Sequence, residues 1–193
     1  MKIYLFRHGE TLWSKSLQHT GLTDIDLTVE GRKEALLLGK SIKGIHFDSV
    51  FASPLKRVVL TCELAGLAEK MQVDTHLLEW DYGDYEGLTS AEIWKDNPGW
   101  TIFNKDPPNG ETSHEVEARA DYFLKKVKTL EGNIAVFSSG HFSRVLAARW
   151  LGLDVSRGAS FFLNTASKSI LGYEHNVPAI LLWNDTSHLC RDL

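Results

Sequence analysis

Two cysteines in 193 residues, Cys62 and Cys190, form no CxxC pair and no closely spaced thiol framework. Neither a disulfide scaffold nor a structural zinc site is expected from them. Basic charge is also short, with 21 Lys and Arg against 25 Asp and Glu for a formal net charge of −4. That balance argues against a general nucleic-acid or membrane-surface role, which needs a basic face, but not against a local basic pocket. The eight histidines include no H-x-H pair and none at i, i+4, so a metal site would have to be assembled from distant segments. No metal and no other cofactor is expected. Long apolar runs are missing too. The N-terminal run over residues 3–6 stops at Arg7 and His8, too short for the apolar region of a signal peptide, and nothing approaches a membrane span. The expectation is a cytoplasmic protein with a small-molecule partner, built as one domain with no internal repeat, linker or low-complexity segment.

What is present begins with a nearly continuous apolar strand, residues 2–6, running into Arg7-His8-Gly9-Glu10-Thr11. Such strands are covered on both faces. Neighbouring strand side chains point to opposite faces, so Arg7 and His8 can act on one ligand only if the chain leaves the pleat, and Gly9 offers the freedom to do so. Residues 9–27 read as a long polar loop without a period, uncommon unless functional. A helix follows over 29–42 with Thr28 as a cap. A short strand at 49–52 runs into Ser53-Pro54, which suits the N-cap and first position of a helix with Leu55, Val58, Val59, Cys62 and Ala65 on its buried stripe. Another strand is expected over 73–80. Two capping boxes, Thr89 with Glu92 and Thr112 with Glu115, start a short and a long helix. Turn dipeptides at Pro98-Gly99 and Asn109-Gly110 break up the stretch between them. A buried strand over 133–137 turns through Ser138-Ser139-Gly140-His141 into a helix, and two antiparallel strands, 168–173 and 179–183, end the pattern. Strands and helices alternating as far as residue 151 predict an α/β fold, a three-layer α/β/α sandwich around a mostly parallel mixed sheet. A small lid-like insertion is expected around 80–111.

Three strand exits then carry candidate groups: Arg7 with His8, Arg57 on the first turn of a helix, and His141 at the start of another. Singly, each has an ordinary structural role as a turn or ion-pair residue. Together, two guanidiniums and two imidazoles at strand ends describe a seat for a dianionic oxyanion, most simply phosphate, at the end of an open sheet where ligands bind.

The motifs Arg7-His8-Gly9-Glu10-Thr11, Ser53-Pro54-Leu55-Lys56-Arg57, Leu78-Glu79-Trp80-Asp81-Tyr82-Gly83 and Ser139-Gly140-His141 resemble, in order and over nearly the full length, those of the histidine phosphatase superfamily, in the branch that contains cofactor-dependent phosphoglycerate mutases. The resemblance implies a phosphoglycerate mutase-like fold and His8 as a nucleophile that becomes phosphorylated. It also implies phosphoryl contacts from Arg7, Arg57 and His141, and Glu79 as the proton donor, with Asp81, Asp84 and Glu86 as nearby rivals or plain loop acceptors. Ser14, Thr20, Gly21 and Phe142 match positions near phosphate or substrate in relatives. A neutral imidazole suits the nucleophile role near pH 7.

Mutases of this branch typically have Arg where Trp80 stands, and a basic insertion, whereas residues 89–110 hold only Lys95 and Lys105. The expected activity is therefore a phosphomonoesterase acting on a small metabolite, a sugar phosphate or bisphosphate being favoured. Mutase-type phosphoryl transfer and a non-catalytic phospho-ligand module are the alternatives. Trp13, Trp80, Tyr82, Trp94, Trp100 and Phe103 are candidates either to roof the pocket or to pack a small lid.

Overall fold

The computed structural model describes residues 1–189, so Cys190 lies outside the described residues. Six strands form one sheet: β1 (Lys2–Arg7), β2 (Ser49–Ala52), β3 (Met71–Val73), β4 (Asn133–Ser138), β5 (Lys168–Glu174) and β6 (Val177–Asp185). Their order is β3-β2-β4-β1-β5-β6. The β3, β2, β4 and β1 neighbours are parallel, whereas β5 runs antiparallel to both β1 and β6. The helices are α1 (Leu12–Ser16), α2 (Val29–Ser41), α3 (Lys56–Leu64), α4 (Ser90–Ile93), α5 (Ser113–Val127) and α6 (Gly140–Trp150). No helix among the described residues is long and apolar enough to cross a membrane.

The strand period of two separates the core into two halves. Ile3 and Leu5 of β1, Phe51 of β2 and Ile134 and Val136 of β4 pack with α5 and α6. Tyr4 and Phe6, Val50 and Ala52, and Ala135 and Phe137 pack with α2 and α3. This is the expected three-layer arrangement. The α5 stripe of Val116, Ala120, Phe123, Leu124 and Val127 is buried throughout. Both expected capping boxes form, at Thr89 with Glu92 and Thr112 with Glu115. Cys62 is a buried free thiol in the α2/α3 half of the core.

Several local expectations are corrected. The loop over 9–27 contains α1, started by Thr11 in a capping box whose third residue is Ser14, not the Glu or Gln that marks such boxes in a sequence. Helix α3 begins at Lys56 with Leu55 as its cap, so Ser53 and Pro54 lie outside it and the Ser53 hydroxyl caps nothing. The strand expected over 73–80 is only β3, because Asp74 caps a 3-10 turn at Thr75–Leu77 and takes the chain off the sheet. Gly9 is not needed for an unusual φ. Its requirement is closeness: a Cβ there would lie 2.4 Å from the Gly31 carbonyl oxygen, where the turn after β1 crosses the first turn of α2.

Candidate active site

The strand ends of β1 and β4 and the N-terminus of α6 open into a cleft of about 420 Å³ lined by Arg7, His8, Ser14, Gln18, His19, Thr20, Glu79, Tyr82, His141 and Arg144, with Leu17 and Phe162 at its side. A second hollow of about 460 Å³, between the C-terminal ends of α2 and α3, is lined by aliphatic residues, glycines and two lysines, with no acid or imidazole. Its size gives it no chemistry.

His8 leaves β1 with its backbone still held, its N–H donating to the Ser138 carbonyl at 3.1 Å and its carbonyl accepting from Ala166 at 3.0 Å. Its ring is buried, and Nδ1 lies 2.8 Å from the Gly9 carbonyl. A carbonyl only accepts, so Nδ1 carries the proton and Nε2 carries the lone pair. Burial, then the Arg57 and Arg7 charges, hold the His8 pKa well below its ordinary value, so the ring is neutral. The two arginines come from opposite layers. Arg7 follows the alternation of Ile3 and Leu5 towards α6, where a Cβ on Gly140 would lie 3.2 Å from its guanidinium. A side chain at position 140 would press the Arg7 guanidinium aside by a few tenths of an ångström. One Arg7 Nη1 proton is donated to the Leu163 carbonyl at 2.6 Å.

Arg57 comes from α3 and is fully buried. It does not line the cleft with a free fork. Nη1 donates to the Thr23 carbonyl at 2.9 Å, and Nη2 to the Thr20 and Gly21 carbonyls at 3.3 and 2.7 Å. Its charge is beside His8 while its tips organise the loop after α1. Buried polar atoms without a partner include Arg7 Nε, Arg57 Nε, Ser53 Oγ and Ser139 Oγ. All four belong to the segments that leave β1, β2 and β4 or to the first turn of α3. Buried donors and hydroxyls in native proteins are normally satisfied, and of these four residues Arg7 is the one that lines the cleft.

Glu79 is buried with both carboxyl oxygens fixed. Oε1 accepts from the Trp80 and Phe142 N–H groups at 2.9 and 2.7 Å, and Oε2 from His141 N–H at 2.9 Å. The carboxyl therefore caps α6, a role ordinarily taken by the N-cap side chain, and the N-cap residue Ser139 makes no capping bond. Arg119 of α5 secures the segment that delivers Glu79. It pairs with Glu111 at 2.6 Å and donates to the carbonyls of His76, Leu78 and Glu79. His141 lines the cleft with Nδ1 bonded to the Tyr82 hydroxyl. Burial first, then Glu79 and Glu86, raise the Tyr82 pKa well above its ordinary value, so the phenol keeps its proton. With the phenol donating to Nδ1, His141 carries its proton on Nε2. Burial, Arg144, His19 and Arg7 lower the His141 pKa, and this ring is neutral as well.

The remaining expected contacts divide. Ser14 and Thr20 line the cleft, but the Ser14 hydroxyl donates to the Thr11 carbonyl and that of Thr20 to Gln18. Gly21 and Phe142 do not line it. The Gly21 N–H donates to Glu86 and its carbonyl accepts from Arg57, while the Phe142 N–H donates to Glu79. Asp81, Asp84 and Glu86 act as loop acceptors for Gly83, Asn109, and Gly21 with Thr23. Of the six aromatic candidates only Tyr82 lines the cleft; Trp80, Trp100 and Phe103 are core residues and Trp94 is 46% exposed. Trp13 packs over Gly87. Sequence reasoning missed His19 and Arg144. His19 had no signal within its polar loop. Arg144 had one, since a charge three residues after His141 shares its helix face. Among the described residues no group of three or more His, Cys, Asp or Glu could hold a metal ion.

Residues 3–186 match the model of the histidine phosphatase superfamily, branch 1. The chain is 38% identical to an acid phosphatase of Mycobacterium tuberculosis over 97% of this chain and 94% of that one. It is 35% identical to the sedoheptulose 1,7-bisphosphatase of Saccharomyces cerevisiae over 79% of this chain and 68% of that one. The solved structure of a Mycobacterium tuberculosis open reading frame superposes with a TM-score of 0.91 at 37% identity, covering 95% and 96% of the two chains. The chain belongs to the histidine phosphatase superfamily. Within it, the protein is a phosphatase.

Proposed function

We propose that the protein hydrolyses small phosphomonoesters through a phosphohistidine on His8. The observation that carries the reading is the His8 tautomer: Nδ1–H is fixed to the Gly9 carbonyl, which leaves a neutral ring with an Nε2 lone pair. In the first step Nε2 forms a bond to phosphorus as the ester P–O bond breaks, and the departing alkoxide takes a proton from Glu79. In the second, water attacks phosphorus, gives its proton to the Glu79 carboxylate, and the P–N bond breaks to restore the imidazole and release phosphate. Dividing the displacement in two lowers each barrier. Arg7 and the charge of Arg57 stabilise the equatorial oxygens, and His141 contributes an Nε2–H donor. His8 and His141 are both neutral, yet in opposite tautomers, which suits one to attack phosphorus and the other to bind oxygen.

A sugar phosphate or bisphosphate is the favoured substrate, in keeping with the bisphosphatase among the relatives. The test is trapping of the intermediate. Rapid acid-free quenching with a labelled substrate is expected to give base-stable, acid-labile phosphate on His8. His8→Ala is expected to fold and to lose more than about 10³-fold in turnover, on the order of 4 kcal/mol or more of barrier. Residual turnover above that level, or label on another residue, would contradict the reading.

A further inference from the structure

We propose that Arg144 forms an anion subsite, one helical turn beyond the phosphoryl seat, that selects phosphomonoesters carrying a second anionic group. The proposal rests on the placement of the reacting phosphoryl group at His8. Arg144 is four residues after Gly140, whose backbone lies against the Arg7 guanidinium, and three after His141 on the same helix face. At 1.5 Å per residue the backbones of Gly140 and Arg144 are about 6 Å apart along α6. The Arg144 side chain is built in place. Nε donates to the Gly158 carbonyl and Nη2 to the Ala159 carbonyl, both at 2.9 Å, and the guanidinium lies 4.5 Å from the centre of the Phe103 ring. Those contacts leave Nη1 without a hydrogen bond among the described residues.

Charge makes the case. Three other arginines on the helices have carboxylate partners: Arg32 with Asp26, Arg119 with Glu111, and Arg149 with Glu117 and Asp121. Arg144 has no ion pair among the described residues, although it is half-buried in the cleft wall. A half-buried cation without a counter-ion is unfavourable unless a ligand supplies one. The dianion of the reacting phosphoryl group is matched by Arg7 and Arg57, so the Arg144 charge is surplus to a simple monoester. Around it the cleft offers Ser14, Gln18, His19, Thr20 and Ser90 but no Lys, and Glu79 is its one carboxylate. The geometry points to a carboxylate or a second phosphate on the same small molecule, bound by the one free N–H edge of Arg144.

Two matched pairs read this directly. O-phosphoserine and phosphoethanolamine differ by a carboxylate, and fructose 1,6-bisphosphate and fructose 6-phosphate differ by a phosphate. In wild type the doubly anionic member of at least one pair is expected to have the higher kcat/KM, and the pair that shows it identifies the anion. Arg144→Met is expected to shrink that preference by about 10- to 150-fold, the span of one charged hydrogen bond, while Arg144→Lys retains part of it. Equal losses on both members of each pair, or a wild type without preference in either, would overturn the subsite and leave Arg144 as a tether for the 158–159 segment. Calorimetric binding of the four compounds to His8→Ala, with and without Arg144→Met, reads the same preference without chemistry. Failure of the phosphohistidine reading and failure of the subsite are thereby separated.

Discussion

The inner and outer halves of the cleft are made in different ways. At the inner end the functional residues are anchored by partners far away in sequence, the His8 backbone by Ser138 and Ala166, Glu79 by His141 and Phe142, and Arg57 by the 20–23 loop, while the neighbouring Gly9 carbonyl orients the His8 ring. At the outer end, hydroxyls are satisfied locally, Ser14 with Thr11 and Thr20 with Gln18, while Gln18 and His19 are tied to the 87–90 segment and Arg144 to residues 158 and 159. The inner half is thus part of the fold's long-range framework, and its chemistry cannot shift without the sheet shifting. The outer half is built from short turns that are tied to other surface loops and not to the sheet. His19 and Arg144 are the groups it presents to the cleft with the most chemical character.

The largest effect that would sharpen this contrast is at Glu79. Glu79→Gln is expected to slow hydrolysis of an alkyl phosphate by about 10²–10⁴-fold, the usual worth of a positioned acid. Pre-steady-state phosphorylation of His8 by nitrophenyl phosphate, whose leaving group needs no proton, is expected to be damaged far less. Gln also sets an amide NH₂ against one of the three N–H donors that Glu79 now accepts, so a stability loss of about 1–3 kcal/mol should accompany the change. Equal damage to both substrates would mean that the capping role accounts for everything, and the acid would have to be sought elsewhere.

Arg57 stands at the join of the two halves, with its charge on His8 and its tips on the outer loop. Arg57→Ala is expected to weaken inhibition by phosphate or vanadate by about 10-fold or more and to destabilise the chain by about 2–4 kcal/mol, because the Thr20, Gly21 and Thr23 carbonyls lose their donors. Denaturant unfolding and inhibition constants measure the two separately. Unchanged inhibition would remove Arg57 from the phosphoryl seat and leave it purely a loop organiser.

The same division explains what was legible in the sequence. Alternating strands, helix stripes and the Thr89 and Thr112 boxes are written in neighbouring residues, and they stand in the structure as expected. Arg7, His8 and Arg57 were visible because strand exits collect ligands. The capping of α6 by Glu79 joins positions 62 apart and leaves no local trace. Helix α1 hid because its capping box uses Ser14 as the third residue. The grip of Arg119 on three carbonyls looks, in sequence, like any charge on a long helix. Trp80 shows the converse, an aromatic beside the acid whose indole N–H reaches the Glu111 carbonyl at 2.8 Å and whose ring is core.

Acid sensitivity separates the halves more gently. His8, His19 and His141 all have lowered pKa values in the folded chain, His19 to about 4 through burial. Below about pH 6.5 the unfolded chain therefore binds protons that the folded chain does not. Stability from these groups is complete above that pH and falls as the pH drops towards the folded values, by at most about 1.4 kcal/mol per pH unit for each ring. Glu34, whose pKa burial raises, acts in the opposite sense from near pH 4.5 upwards and offsets part of the slope. Urea midpoints at pH 7, 6 and 5 are expected to fall, and His19→Phe should flatten the fall by one ring's share. A flat profile in wild type would show that the cleft imidazoles protonate without unfolding anything.

The smallest effect is expected at Leu17, and it bears most directly on the outer half. Leu17 ends α1 in the left-handed region, at φ 62°, with its side chain 77% exposed. That conformation costs a non-glycine residue about 1–2 kcal/mol, and the exposed side chain recovers little of it by burial. Glycine relieves the strain but brings about 0.5–1 kcal/mol of extra chain entropy to lose on folding. Leu17→Gly is therefore expected to stabilise the protein by roughly 0.5–1 kcal/mol, the difference between these terms. Leu17 also stands at the side of the cleft with Phe162, so the variant removes an apolar contact for the part of the substrate that projects outwards. A higher KM with unchanged kcat, together with the higher urea midpoint, would show that the outer half trades stability for substrate contact. A lower midpoint would mean that the Leu17 side chain packs more usefully than its exposure suggests, and the two halves would then be less different in construction than their hydrogen bonds indicate.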